Sequence, residues 1–320
     1  MKRLLDFFKP SRKDVELLVT LCPSFPHFPK FFNDPKVTSI RLNSAMVTQS
    51  DLEQELGLIE SQPKDKLLFD IKGRQPRVVE VIPNKDHLDL RLNHPIETKT
   101  PCVILFKAAA DYGILDHLEE DGRRLVFKNG GQFGPKFKVS PGESLHCREE
   151  NFQIKGDLFT AEEKLKIERV KQAGFKRYFL SYVEKQSDID EFRELVGRDA
   201  EIWLKIESVP GLKFVANEFK KQDNLVLVAA RGDLFVEVKK PHDIIKALRL
   251  IIQKDPLACV GSRILLSIIR EAVPSCADLS EIAWMYDLGY RRMMLCDELC
   301  LKENLLSDAV NVFDAVKKDF

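Results

Sequence analysis

The sequence has no surplus of charge in either direction: 50 Lys and Arg stand against 50 Asp and Glu in 320 residues. Nucleic acid is therefore not an expected partner, because counterion release requires a basic face that this composition does not demand. Long apolar runs are missing as well. None approaches about 18 residues, so no membrane-spanning helix is expected, and Asp6 and Lys9 cut the N-terminal run short of a secretion signal. These absences point to a soluble, cytoplasmic protein without membrane contact. The seven cysteines, Cys22, Cys102, Cys147, Cys259, Cys276, Cys296 and Cys300, are odd in number and scattered. That argues against a secreted disulfide framework and suits reduced thiols. Neither Gly-x-Gly-x-x-Gly nor a Walker sequence occurs, so a Rossmann or P-loop nucleotide site has no support. The six histidines form no ligand-spaced set. Cys296 and Cys300, without a second Cys or His pair nearby, read as buried thiols rather than a zinc site.

What is present is a globular α/β pattern. Hydrophobic residues make up 44% of the chain, too many for a disordered polyelectrolyte. A (β/α)8 TIM barrel uses about 250 residues, so the length fits one barrel with an addition. Short β-branched runs predict eight strands, at 16–21, 37–42, 66–71, 177–183, 201–206, 225–230, 257–261 and 291–296. Segments of helical period lie at 51–60, 161–173, 188–196, 211–221, 242–253 and 305–317, with a longer stretch at 263–286 broken near Pro274. Phe31 and Phe32 read as helix-packing residues, and Lys220 and Lys221 as a solvated face. Strand starts in the second half are about 24 to 34 residues apart, one βα unit, whereas the third and fourth are about 110 apart. The interval holds short strand-like runs with Pro and Gly punctuation and a predicted hairpin at Asn129-Gly130-Gly131. The expected organisation is therefore barrel at 1–77, an inserted β lid at 78–155, and barrel again at 156–320.

Barrels of this kind place chemistry at the carboxyl ends of their strands. Polar residues gather there repeatedly: Arg41-Leu42-Asn43, Asp70-Ile71-Lys72-Gly73 with Arg77 beyond, Lys205-Ile206-Glu207, Arg231-Gly232-Asp233, Ser262 and Glu298. Any one of these reads most simply as a solvated strand end, but six together point to a site. Residues i and i+2 on a strand face the same side, so Lys205 and Glu207 project together into the barrel mouth. Glu207 and Asp233 can then share one hard divalent cation, Mg²⁺ or Mn²⁺, which takes one or two carboxylates plus substrate oxygens and water. Lys205 offers a fixed positive charge for a transferring phosphoryl group or a developing enolate, and Arg41 and Arg77 add bidentate oxyanion donors. The competing reading is a buried Lys-Glu-Asp-Arg network that only fixes strand register.

These strand-end motifs, in this order, resemble pyruvate kinase from Val15 to Lys317. Val19-Thr-Leu-Cys-Pro-Ser24 is similar to the family's first-strand Cys-Thr-Ile-Gly-Pro-Ala, and Ile40-Arg-Leu-Asn-Ser-Ala45 to its Arg-Leu-Asn-Phe-Ser. Phe69-Asp-Ile-Lys-Gly-Arg-Gln-Pro-Arg77 resembles Leu-Asp-Thr-Lys-Gly-Pro-Glu-Ile-Arg. Leu204-Lys-Ile-Glu-Ser208 and Val228-Ala-Ala-Arg-Gly-Asp-Leu234 resemble Ala-Lys-Ile-Glu-Asn and Met-Val-Ala-Arg-Gly-Asp-Leu. Ser262-Arg-Ile-Leu-Leu-Ser-Ile-Ile269 and Met294-Leu-Cys-Asp-Glu298 follow Thr-Gln-Met-Leu-Glu-Ser-Met-Ile and Met-Leu-Ser-Gly-Glu.

The resemblance implies a barrel with a mobile β lid that moves a phosphoryl group between phosphoenolpyruvate and ADP, giving pyruvate and ATP. By position, Lys205 would stabilise the transferring phosphoryl, Glu207 and Asp233 would hold the metal, and Arg41 and Arg77 would contact phosphates. The Gly232 and Asp233 amides would hold the substrate carboxylate, and Ser262 would stand near the protonated carbon. Asn43, Asp70 and the Ile71 carbonyl would belong to a monovalent-cation site for K⁺. The chain departs from the pattern at Ala45, Ile71, Arg74, Gln75, Phe235, Arg263 and Leu266, and Ala45 counts against a K⁺ requirement. The insert is shorter than the family's, and no counterpart of its carboxyl-terminal domain is seen, so effector control by sugar phosphate is expected to be absent. Two other functions stay open: a lyase or decarboxylase that uses a metal-stabilised enolate without nucleotide, and a catalytically silent binding protein. The oligomeric state is open too, a homodimer included.

Overall fold

Strands buried on both faces read as unbroken apolar runs, and Leu225–Ala230, with every residue buried, is one of them. In the computed structural model, which describes residues 15–44, 49–128 and 138–319, eight such runs form one closed parallel barrel. They are β1 (Glu16–Thr20), β2 (Ser39–Asn43), β3 (Leu67–Ile71), β4 (Arg177–Leu180), β5 (Glu201–Ile206), β6 (Leu225–Ala230), β7 (Cys259–Gly261) and β8 (Arg292–Met294). Each pairs with its neighbour in chain order, and β8 closes on β1. A helix of the outer ring follows each strand, from Phe28–Asn33 after β1 to Glu303–Val316 after β8. The chain is thus a (β/α)8 barrel, as the strand and helix spacing predicts.

Alternation along the strands sorts the side chains into two sets. Outward residues such as Leu17, Ile40, Phe69, Tyr178 and Leu204 pack against the helices. Inward residues Leu18, Leu68, Phe179, Trp203, Val226, Val228, Cys259 and Met294 form a separate apolar plug. Phe179 and Trp203 meet edge to face at its centre, ring centroids 5.3 Å apart. The plug is a floor, and the next inward positions toward the carboxyl ends stand above it.

Several boundaries differ from the sequence reading. β4 stops at Leu180 rather than 183, because Tyr182 adopts φ +53° and turns the chain out of extended geometry. β7 and β8 are each shorter than expected, and β2 runs from 39 to 43 rather than 37 to 42. Three short helices were not anticipated: Phe28–Asn33, which buries Phe31 and Phe32, Arg231–Glu237 directly after β6, and Asp297–Cys300 after β8. The 263–286 stretch is broken as Pro274 requires, and its helix, Cys276–Leu288, is capped by Ser275. Lys220 is exposed as expected, whereas Lys221 is only partly so. It pairs at 3.1 Å with the fully buried Asp255.

Between β3 and β4 the chain forms a six-stranded antiparallel sheet in the order Leu145–His146, Cys102–Phe106, Asp111–Glu119, Arg124–Phe127, Asp89–Leu92, Val78–Val81. One face carries its own apolar cluster, including Leu90, Ile104, Phe106, Leu115 and Phe127. The expected hairpin at 129–131, Ala45 and the N-terminal segment 1–14 lie outside the described residues. Among the described residues no helix is long and apolar enough to cross a membrane.

Candidate active site

The period of two that makes the floor also makes the site. One step above Trp203 on β5 come Lys205 and then Glu207, above Leu68 on β3 come Asp70 and then Lys72, and β2 contributes Arg41 and Asn43. β5 stops where it does because Ser208 begins the next helix, its Oγ accepting the Gly211 N–H at 3.1 Å with Pro210 in the first turn. Glu207 is left between strand and helix with its carboxylate turned inward.

Lys205 sits at the centre, only 5% exposed. Its Nζ donates to Ser181 Oγ at 2.8 Å, pairs with Glu207 Oε1 at 2.9 Å, and lies 3.6 Å from Asp70 Oδ2. Glu207 Oε2 accepts the Tyr182 N–H at 2.9 Å, which the left-handed turn at Tyr182 presents to it. Asp70 Oδ2 also accepts from Arg41 Nε and Lys72 Nζ, each at 2.8 Å. Arg41 Nη2 also donates to Asp70 Oδ2, Nη1 reaches Asp297 Oδ1 at 2.7 Å and Thr20 Oγ1 at 3.2 Å, and Asn43 Nδ2 donates to Asp297 Oδ2 at 2.8 Å.

Asp233 arrives from the other side, in the first turn of the helix Arg231–Glu237. It lines the same cleft as Glu207, and its charge acts on that carboxyl. Gln75 donates to Asp233 Oδ2 at 3.0 Å, and Arg77 Nε in turn donates to Gln75 at 3.0 Å. His146 of the inserted sheet, fully buried, lies with Nε2 3.4 Å from Asp233 Oδ1, an ion-pair contact rather than an aligned hydrogen bond. Its Nδ1 is 2.7 Å from Glu237 Oε1 and 3.2 Å from the Tyr182 hydroxyl. Ser262, at φ +68°, faces Gly232, where an added Cβ would come within 3.5 Å of the Ser262 Oγ.

Charges this close shift one another. Burial alone would raise the Asp70 carboxyl, but Lys205, Lys72 and Arg41 hold it well below the usual carboxylate range. Burial pulls the Lys72 ammonium down to about 7, against the attraction of Asp70 and with the repulsion of Lys205 and Arg41. Burial works against Lys205 too, yet Asp70 and Glu207 keep it above its ordinary value, so it stays cationic. Glu207 is pushed up to about 7 by burial and by the charge of Asp233, despite Lys205. Asp233 is held low against burial by His146, whose imidazolium is pushed up to about 10 by Asp233 and Glu237 despite its own burial.

These groups line a cleft of about 730 Å³. Of the residues singled out from sequence, Arg41, Asn43, Arg77, Lys205, Glu207, Gly232, Asp233, Ser262 and Glu298 all reach it, as do the departures Gln75, Phe235, Arg263 and Leu266. Asp70 lies directly beneath, fully buried. Ile71 is buried in the outer core and its carbonyl accepts the Ser181 N–H at 2.9 Å. Phe235 does not plug the mouth, but stacks beneath the Arg263 guanidinium, 4.7 Å from its ring centroid. Arg74 turns away and pairs with Asp188 at 2.9 Å. Sequence reasoning did not single out Asp297, Ser181, Tyr182 or His146, whose roles depend on contacts across strands or across the insert. All seven cysteines are free thiols, and none belongs to a zinc-type cluster among the described residues.

No protein-family profile matches the chain. It is similar to the pyruvate kinase of Agrobacterium vitis, 30% identical over 204 residues, which are 58% of this chain and 39% of that protein. It is similar also to the pyruvate kinase of Dictyostelium discoideum, 31% identical over 110 residues, 32% of this chain and 21% of that one. The matched parts span less than half the length of either relative. They support a pyruvate kinase-like relationship, in agreement with the motifs.

Proposed function

We propose that the chain is a metal-dependent phosphotransferase of the pyruvate kinase type, moving a phosphoryl group between phosphoenolpyruvate and ADP in the cleft. One observation carries the reading: the Lys205 ammonium, the Glu207 carboxylate 2.9 Å from it, and Asp233 line one cleft at the rim of one barrel. In this reading 78–155 is a lid and the remainder the catalytic barrel.

The donor set fits a hard divalent cation. Burial first, and then the charge of Asp233, raise Glu207, and that negative charge is what Mg²⁺ or Mn²⁺ would neutralise. Bound there, such an ion would withdraw charge from phosphoryl oxygens. Lys205 supplies a preorganised positive charge for the phosphoryl in flight, held in place by Ser181, Glu207 and Asp70. Arg77 reaches phosphate oxygens from the base of the insert. The amides of Gly232 and Asp233 orient the substrate carboxylate, and Ser262 stands beside the carbon that gains a proton. The set carried over for K⁺ is already engaged in part with neighbouring side chains. Asp70 is already satisfied by Arg41, Lys72 and Lys205, Asn43 donates to Asp297, and the Ile71 carbonyl is taken by Ser181. No step is assigned to a monovalent ion.

Replacing Lys205 by Met should lower kcat by on the order of 10² to 10³ with an unchanged circular-dichroism spectrum. An unaffected rate would remove the mechanism. Glu207→Gln should weaken Mn²⁺ binding at least about tenfold in an electron paramagnetic resonance titration, which reads the ligand without turnover.

A further inference from the structure

Asp297 puts a carboxylate where the resemblance places glycine, in the motif Met294-Leu-Cys-Asp-Glu298. It stands in the first turn after β8, with its backbone carbonyl bonded to the Leu301 N–H at 3.2 Å, so the position is fixed by the helix Asp297–Cys300. Both oxygens are used. Oδ1 takes Arg41 Nη1 at 2.7 Å and Oδ2 takes Asn43 Nδ2 at 2.8 Å. Each of the three Arg41 nitrogens is thus engaged, Nε and Nη2 by Asp70 and Nη1 by Asp297 and Thr20, which uses four of its five N–H donors.

The two carboxylates on Arg41 are not equivalent. Asp70 is fully buried beneath three cations and cannot leave, whereas the Asp297 side chain is 36% exposed and lines the cleft. Arg41 is itself buried, but the Asp297 end of the pair opens to the cleft, so an anion that binds Arg41 more strongly can take its place there. Phosphoryl dianions do so through bidentate, charge-assisted hydrogen bonds, and a monoanionic carboxylate gains nothing over the one it replaces. We propose that Asp297 is an internal occupant of the anion subsite at Arg41, which sets specificity by admitting dianionic phosphoryl groups and turning away monoanionic carboxylates.

The inference rests on the reading of Arg41 as a phosphate contact, and it can be tested without turnover. Inorganic phosphate is titrated calorimetrically, in the presence of chelator, into the full chain and into Asp297→Asn, Asp297→Glu and Glu298→Gln. Asp297→Asn keeps the shape and removes the charge, and should bind phosphate about tenfold more tightly, with acetate binding rising from undetectable. Asp297→Glu, still charged, should show no gain. Glu298→Gln removes the same charge from the cleft without a hydrogen bond to Arg41, and should change phosphate affinity less than about twofold. Unchanged or weaker phosphate binding by Asp297→Asn overturns the inference, as does an equal gain in Glu298→Gln. A phosphate gain without pyruvate formation in any variant would keep the subsite and remove phosphotransfer. Pyruvate formation with no phosphate gain would do the reverse.

Discussion

Gly73 shows how one residue sets the cleft's wall. It takes φ +54° where β3 turns toward Gln75 and Arg77, and a Cβ there would lie 2.9 Å from the Ser181 carbonyl oxygen. Gly73→Ala should therefore cost about 1 to 3 kcal/mol, read from the denaturation midpoint. An unshifted midpoint would contradict the close approach. At this scale the sequence was legible wherever a strand's period of two decides direction: Lys205 with Glu207, Asp70 with Lys72, Arg41 with Asn43. It was not legible where partners meet through closure of the barrel or docking of the insert. Asp297 contacts Arg41 across 256 positions, and His146 contacts Glu237 across 91. No local pattern encodes either distance.

The helix Arg231–Glu237 is the element on which the inserted sheet rests. Besides carrying Asp233, it holds His146 through Glu237 and accepts the Arg148 guanidinium at the Val236 carbonyl. Sequence reading assigned no helix here, since the seven residues Arg231–Glu237 hold no helical repeat long enough to detect. The strand-like runs between β3 and β4 were legible, because alternation and Gly or Pro punctuation are local signals. His146 is buried without any apolar excuse, and its contacts with Asp233, Glu237 and Tyr182 make it a latch between sheet and barrel. His146→Gln should speed amide exchange in Cys102–Phe106 and Leu145–His146 at least about tenfold while β5 and β6 stay protected. Equal protection in both proteins would remove the latch.

The whole molecule is a barrel with two apolar interiors, one inside the strands and one between strands and helices, plus the separate cluster of the inserted sheet. Trp203 fills the barrel's inside, with the Arg177 and Arg292 guanidinium groups 5.6 and 5.3 Å from its ring. Trp203→Ala should destabilise the protein by about 3 to 5 kcal/mol in urea titration, and a cost below about 1 kcal/mol would show that the floor is not closely packed. On that floor stand the charges that define the cleft. The most direct measurement of what they do is an omission assay for pyruvate. With phosphoenolpyruvate, ADP and Mg²⁺ all present, pyruvate should form, and leaving out either ADP or Mg²⁺ should abolish it. Pyruvate formed without nucleotide, or none formed with all three present, would contradict phosphoryl transfer.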